Sequence, residues 1–180
     1  MSRKYELVMD RKYELTQETL TVNTQVLYRI RALRDFGDVK AGDLGGFISS
    51  EFNLSQIGNC WVYGNACVFG FAQIDGNAQV SQTAQVYEDT YVYASSRVSG
   101  NAKIFGYAVV SGYAQVSETA QVFGDTRVSN RAKVHGDAWI LGTAHVCGKT
   151  KVDRGTWNRV IEINDKHYLV STTLKKVLLE

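Results

Sequence analysis

The chain has 180 residues, with 20 Lys and Arg against 18 Asp and Glu, no proline and three cysteines. Because these charges nearly balance and are dispersed, we expect neither nucleic acid nor a membrane surface as a partner. The first residues lack the apolar stretch of a signal peptide and no later stretch could span a bilayer, which predicts a cytoplasmic protein. An odd number of cysteines without zinc-site spacing predicts reduced packing residues at Cys60, Cys67 and Cys147.

The N-terminal region, residues 1–57, is predicted to form a cap. Two strand-like runs, 20–22 and 25–33, flank Asn23-Thr24 and predict a β-hairpin. The stretch from Asp35 through Gly45-Gly46 predicts turns. Because the first coil of a stacked parallel sheet has unpaired backbone groups, we expect the cap to protect that edge.

Sixteen uninterrupted hexapeptides occupy residues 58–153. The fifth position of every hexad is Val or Ile, and the first two positions favour Gly and Asn, which tolerate the positive φ of a corner. Because a strand alternates its side chains, the third and fifth positions face one side and the fourth and sixth face the other. The third position is small: it is Ala in most units and otherwise Cys60, Thr90, Ser96, Thr126 or Thr150.

This six-residue period predicts an all-β fold, a left-handed parallel β-helix in which three hexads close one triangular coil. Sixteen hexads make about five coils and a column about 25 Å long. Each buried valine contributes about 1.5–3 kcal/mol before chain entropy is subtracted. We expect Val and Ala side chains to fill the bore, so that any site lies on the outer faces.

The C-terminal region, residues 154–180, is predicted to form a second cap. Runs at 159–163 and 166–170 flank Asn164-Asp165 and predict another hairpin. Beyond it, Leu174, Val177 and Leu178 predict a last short helical turn.

The Gly-Asn-Ala-x-Val hexads that begin at Gly64 and Gly76 resemble the bacterial hexapeptide-repeat superfamily, which includes trimeric left-handed β-helix acyltransferases. The segments 35–48, 53–56 and 58–63 are similar to enterobacterial, Bacteroides and prophage proteins that are named transferases from the repeat alone. This likeness covers about residues 25–153. The repeat by itself specifies a fold rather than an activity.

In acyltransferases of this superfamily a histidine acts as general base, a loop extruded from a coil shapes the pocket, and the cofactor lies between subunits. Here the unbroken hexads extrude no loop. His135 and His145 project outward without an adjacent acidic residue to orient them, while His167 falls in the C-terminal cap. We therefore expect no catalytic residue and no cofactor, and the wide spacing of the histidines predicts no metal site.

Residues 18 apart stack on one face, which sorts the outward positions into three walls. The first wall carries an apolar ladder larger than a monomer usually exposes, so we expect something to cover it. A second copy in a dimer or trimer would cover it, as would the chain's own termini; a stacked column that stabilises the sheet is a third interpretation. The ladder consists of Phe69, Tyr87, Phe105, Phe123, Trp139 and Leu141.

On the second wall four cations stack at strand spacing, where like charges repel unless an anion offsets them. The anion would be a partner's acidic surface, a nucleotide or coenzyme phosphate, or Glu162 and Asp165 of the chain itself, and a purely solvated face is the alternative. The cations are Arg131, Lys133, Lys149 and Lys151. The third wall yields no prediction; it mixes Tyr91, Tyr93, Val109, Arg127 and His145.

Together these features favour a homo-oligomeric, non-catalytic β-solenoid that acts as a binding or scaffold protein. A phage-encoded factor that binds a host protein or an anionic small molecule is one interpretation. The alternative is an acyl-coenzyme A dependent acyltransferase with His135 or His145 as its general base.

Overall fold

The computed structural model describes residues 11–158. Apart from one 3₁₀ turn, Glu51–Asn53, the regular structure in that range is β. The N-terminal strands are β1 (Tyr13–Val22), β2 (Gln25–Ala32) and β3 (Leu44–Ile48). Each hexad then supplies one two-residue strand from its fourth and fifth positions, and a last strand follows the repeat: β4 (Trp61–Val62), β5 (Cys67–Val68), β6 (Gln73–Ile74), β7 (Gln79–Val80), β8 (Gln85–Val86), β9 (Tyr91–Val92), β10 (Arg97–Val98), β11 (Lys103–Ile104), β12 (Val109–Val110), β13 (Gln115–Val116), β14 (Gln121–Val122), β15 (Arg127–Val128), β16 (Lys133–Val134), β17 (Trp139–Ile140), β18 (His145–Val146), β19 (Lys151–Val152) and β20 (Thr156–Trp157).

These strands stack into three parallel sheets that form the walls of a β-solenoid. The aromatic wall contains β3, β5, β8, β11, β14, β17 and β20; the basic wall contains β4, β7, β10, β13, β16 and β19; the cleft wall contains β6, β9, β12, β15 and β18. Partners lie one coil apart, as in Val98 opposite Val116. The predicted fold class is confirmed. The solenoid has about six turns rather than five, because β3 and β20 add rungs on either side of the repeat.

The predicted core is confirmed. Every fifth-position Val and Ile is at most 2% exposed, and all of them belong to one apolar cluster that also holds the third-position alanines. Two of the third-position hydroxyl groups find backbone acceptors, whereas the buried Thr126 Oγ1 has no hydrogen-bond partner among the described residues. Thr90 Oγ1 donates to Tyr87 O at 2.7 Å, and Ser96 Oγ donates to Tyr93 O at 2.8 Å.

The corners require a left-handed backbone at the first position of the hexad, and some are not glycine. Glu88 and Glu118 both have a φ of 61°. Their carboxylates accept hydrogen bonds from the backbone N–H groups of Gly106 at 2.7 Å and Gly136 at 2.9 Å, each one coil further on. These charge-assisted bonds offset the steric cost of a side chain in this conformation.

The predicted N-terminal hairpin is present. Asn23 and Thr24 both have positive φ, as a two-residue turn between β1 and β2 requires. Strand β2 pairs antiparallel with β3, and β3 pairs parallel with β5. The hairpin therefore extends the aromatic wall by two strands at its N-terminal edge.

The prediction of a turn at Gly45-Gly46 is wrong, because both residues lie inside β3. These glycines serve close packing instead. A Cβ atom on Gly45 would lie 2.5 Å from Ile30 Cγ1, and one on Gly46 would lie 2.5 Å from Ala66 O. Without side chains, β3 can lie directly against the first coil.

At the other end, β20 pairs with β17, and Leu141 N donates to Trp157 O at 2.8 Å. The predicted C-terminal hairpin and last helical turn lie outside the described residues. Residues 11–158 contain no helix with the length and apolar character needed to cross a bilayer.

Candidate functional site

The apolar ladder of the aromatic wall is a stacked column of rings. Ring centroids are 4.9 Å apart between Phe69 and Tyr87, 5.1 Å between Tyr87 and Phe105, and 4.7 Å between Phe105 and Phe123, and the planes of each pair are nearly parallel. Trp139 meets Phe123 edge-on at 6.2 Å. This geometry agrees with a column that stabilises the sheet through ring contacts.

The rings of this ladder are buried to different extents along its length. At the N-terminal end, Phe69 is buried in a cluster with Leu27 of β2 and Phe47 of β3. Further along, the ladder is only partly covered by residues 11–158, and Trp139 is 44% exposed. Within residues 11–158, the cap therefore covers only the N-terminal end of the ladder.

The basic wall brings the four predicted cations onto neighbouring coils. Lys133 lies opposite Lys151, and Arg131 N donates to Gly148 O, next to Lys149. All four side chains are exposed. Glu162 and Asp165, the acidic residues considered as internal partners, lie outside the described residues, and the anion site stays a prediction.

The cleft wall, from which the sequence yielded no prediction, carries an open cleft of about 480 Å³. Fourth-position and sixth-position side chains of successive coils line it in two columns. The lining residues are Tyr91, Tyr93, Val109, Ser111, Arg127, Ser129, Asn130, His145 and Cys147. This site was missed because it depends on the relative sizes of side chains 18 residues apart.

Small side chains contribute to the recess. Ser111 and Ser129 follow Tyr93 in the sixth-position column, so the wall is lower beyond the tyrosine. These successive serines, 18 residues apart, were the signal available in the sequence. The serines also supply hydroxyl groups that can donate or accept hydrogen bonds at the floor of the cleft.

One end of the cleft is formed by two tyrosines. The rings of Tyr91 and Tyr93 stack with centroids 4.7 Å apart and planes 22° apart. Tyr91 Oη donates to Asp75 Oδ2 at 3.2 Å. Desolvation raises the pKa of the Tyr91 phenol, and the nearby Asp75 carboxylate raises it further. Tyr91 therefore keeps its proton and offers a flat ring surface.

The other end of the cleft carries the ionisable groups. Arg127 lies opposite His145 on paired strands, and both side chains are exposed. Cys147, which is half-buried, follows His145 by two residues and faces the same side. An imidazole that can accept a proton and a guanidinium that can bind phosphate thus share one open cleft.

The histidines are not brought together. His135 lies on the basic wall, next to β16, whereas His145 lies in β18 on the cleft wall. His167 lies outside the described residues. Within residues 11–158, no three His, Cys, Asp or Glu side chains gather closely enough to hold a metal ion.

No protein-family model matches the chain. Among curated proteins, the chain is similar to one from Escherichia coli (strain K12) that bears the name "Uncharacterized acetyltransferase YdcK". The two are 44% identical over 61 residues, which is 34% of this chain and 19% of the relative. The matched region thus spans about a fifth of the relative's length. Its name, together with the β-solenoid, fits the resemblance to the hexapeptide-repeat superfamily.

This similarity overturns the expectation of a non-catalytic binding or scaffold protein. A relative that bears the name of an acetyltransferase favours the alternative, an acyltransferase. The hexads extrude no loop of the kind that shapes the pocket in acyltransferases of this superfamily. A cleft on a wall of this solenoid needs no such loop, because the recess comes from small side chains in the coils themselves.

Proposed function

We propose that this chain carries the active site of an acyltransferase that moves an acyl group from a coenzyme A thioester to a hydroxyl or amine. The observation that carries the proposal is the cleft that contains His145. The similarity to a protein named as an acetyltransferase supports the same reaction class. Of the two histidines considered as bases, His145 is the one that lines this cleft.

In the proposed reaction, His145 accepts the proton of the acceptor hydroxyl or amine while the acceptor atom attacks the thioester carbonyl. The carbon–sulfur bond then breaks, and the leaving coenzyme thiolate takes the proton from the imidazolium. Because His145 is exposed, it can reach an acceptor that enters from solvent. The serine hydroxyls at the cleft floor are placed to donate hydrogen bonds to the substrate.

Other side chains of the cleft are suited to bind the phosphates and the adenine of coenzyme A. Arg127 provides a guanidinium that binds phosphate oxygens in bidentate fashion. The stacked Tyr91 and Tyr93 rings provide a flat apolar surface on which an adenine ring can stack. The cleft therefore presents a base, a phosphate-binding cation and an aromatic platform on one wall.

The first experiment tests the base. Thiol release from acetyl-coenzyme A is measured with a panel of small amines and alcohols for the wild type, His145→Ala and His135→Ala. We expect His145→Ala to lower kcat/KM by about 10²–10⁴-fold, since a general base contributes that much. His135→Ala, on another wall, serves as the matched control and should keep wild-type activity. Equal activity in the wild type and His145→Ala would exclude this mechanism.

Binding is tested separately by calorimetric titration of coenzyme A. Arg127→Ala should weaken binding by about tenfold or more, because a charge-assisted phosphate contact is lost. Arg97→Ala removes an exposed cation from the basic wall and should leave the affinity unchanged. Equal losses in both variants would point to a general charge effect rather than to the cleft.

Self-association through the aromatic wall remains a proposal. The stacked rings beyond Phe69 and the exposed Trp139 support it, because they form a contiguous apolar strip. The prophage likeness, the cytoplasmic location and the anion site at the basic wall also stay predictions.

A further inference from the structure

A buried amine and a buried thiol meet beneath the N-terminal cap. Lys12 directly precedes β1, and Cys60 directly precedes β4; neither has any exposed surface. Lys12 Nζ lies 3.2 Å from Cys60 Sγ and 3.0 Å from Cys60 O. The two residues are 48 apart in sequence, so this contact links the hairpin to the first coil.

The setting of Lys12 is unusual for a buried lysine, which normally pairs with a carboxylate. Among residues 11–158, its side-chain hydrogen bonds go to Cys60 O, Cys60 Sγ and, at 3.5 Å, Ile57 O. The Phe36 ring lies on another side, 5.2 Å away. A thiol is thus the side-chain partner of the ammonium or amine group.

Burial disfavours the charged form of both groups. Desolvation lowers the pKa of Lys12 below its ordinary value of 10.5 and raises the pKa of Cys60 above 9.0. Because Nζ lies 3.2 Å from Sγ, the amine is placed to take the thiol proton as the sulfur reacts. The same amine, once it has returned that proton, has a free lone pair and is a nucleophile.

We propose that Lys12 and Cys60 form an oxidation site at which hydrogen peroxide joins Nζ to Sγ in a covalent cross-link. In the first step the Lys12 amine takes the thiol proton, Sγ attacks one peroxide oxygen, and the O–O bond breaks. The released hydroxide recovers the proton as water, which leaves a sulfenic acid on Cys60. Sulfur has been oxidised by two electrons and the peroxide reduced.

In the second step the Lys12 lone pair attacks Sγ, the S–O bond breaks and an S–N bond forms. The hydroxyl leaves with one amine proton as a second water, in the way that sulfenic acids condense with nitrogen. One peroxide is consumed and two waters are formed, so the protein loses two hydrogens. The cross-link closes a loop between the hairpin and the first coil and thereby stabilises the cap.

Cys67 offers an internal control for this chemistry. It is also buried, but its hydrogen-bond partner among the described residues is the backbone Asn65 O at 3.5 Å. Because no amine of the described residues forms a hydrogen bond with Cys67, we expect it to form no such cross-link. Cys147, which is half-buried in the cleft, serves as a reference: its oxidation shows how far an accessible thiol reacts under the same conditions.

The test is a peptide map of the full chain by mass spectrometry after treatment with hydrogen peroxide. We expect a linked pair of peptides that contain Lys12 and Cys60, with the mass of their sum less two hydrogens, and its loss on treatment with dithiothreitol. A linked pair that retains one oxygen would contradict the second step, because the condensation expels that oxygen as water. The oxidised wild type should unfold at a higher temperature than the reduced protein.

Variants sharpen the result. Cys67→Ser should keep the linked peptides, whereas Lys12→Met and Cys60→Ser should abolish them. The wild-type map decides the matter even where a core variant fails to fold. Free Cys60 in protein whose Cys147 is fully oxidised would overturn the proposal, as would a sulfinic acid on Cys60 beside an unmodified Lys12.

Discussion

Residues at equivalent hexad positions have different environments because the neighbouring coils and the cap differ. Trp61 occupies an outward fourth position, yet it is only 1% exposed because Tyr13 and Phe36 of the cap pack against its ring. His145 also occupies a fourth position, on the cleft wall, and is exposed. A side chain's direction follows from the repeat, whereas its burial depends on what lies over it.

Tyr13 carries a prediction about pH. Its hydroxyl donates to Leu54 O at 2.6 Å, and burial raises the pKa of the phenol well above its ordinary value of 10. The folded state thus keeps a proton that the unfolded state loses above pH 10. This contribution to stability is complete below pH 10 and is lost as the pH rises towards the folded-state pKa.

We therefore expect the wild-type free energy of unfolding, measured by urea titration, to fall as the pH rises above about 10. Tyr13→Phe should show a shallower fall, although its stability at neutral pH is lower by about 1 kcal/mol through the lost hydrogen bond. Tyr107→Phe, at a 67% exposed corner tyrosine, should keep the wild-type slope. Identical slopes in all three proteins would contradict this account.

The strands of the repeat are only two residues long, so the backbone conformation of the corners between them largely determines the shape of each coil. Their first residue takes a positive φ at Gly, Glu, Gln, Ala or Asn. The space around that residue differs from corner to corner. A Cβ atom on Gly100 would lie 2.6 Å from Glu118 N, whereas one on Gly148 would meet nothing within 4 Å.

These two glycines form a matched pair for mutation. Gly148→Ala should cost about 1–2 kcal/mol, the conformational penalty of a left-handed alanine. Gly100→Ala should cost more than about 3 kcal/mol, because the backbone of the next coil must also move. Chemical denaturation of both variants would measure the difference, and similar losses would show that coil-to-coil contact at the corner is unimportant.

The molecule as a whole is a column with three unlike walls. One wall is an aromatic strip whose first rung the cap covers, one carries cations near its C-terminal end, and one is recessed into a cleft. This separation places the proposed roles in assembly, anion binding and catalysis on different faces of one core. It also makes the proposed roles separable by mutation.

The aromatic wall is the face on which self-association is tested. Phe105→Glu places a charge in the middle of the ring column and should lower the solution mass measured by light scattering, since burying an unpaired carboxylate at an interface is costly. Tyr113→Glu, at a corner outside this column, should leave the mass unchanged. An unaltered mass in Phe105→Glu would assign the ring column to stability of the sheet alone.

The sequence by itself determined the coil, the core and the sorting of outward residues into walls. These features follow from a strict six-residue period, in which each Val or Ile of the fifth column points to the same axis. The hairpin turn at Asn23-Thr24 could also be predicted from the sequence, because both residues adopt positive φ there. The turn predicted at Gly45-Gly46 was wrong because glycine also allows strands to approach each other closely.

Only the tertiary structure decided the cleft beside His145 and the Lys12–Cys60 contact. A repeat specifies where a side chain points, but the depth of a wall depends on the sizes of neighbours 18 residues apart. The contact between Lys12 and Cys60 crosses 48 residues and joins a segment without any period to the first hexad. Such contacts arise from how the cap packs on the end of the column, which no local pattern encodes.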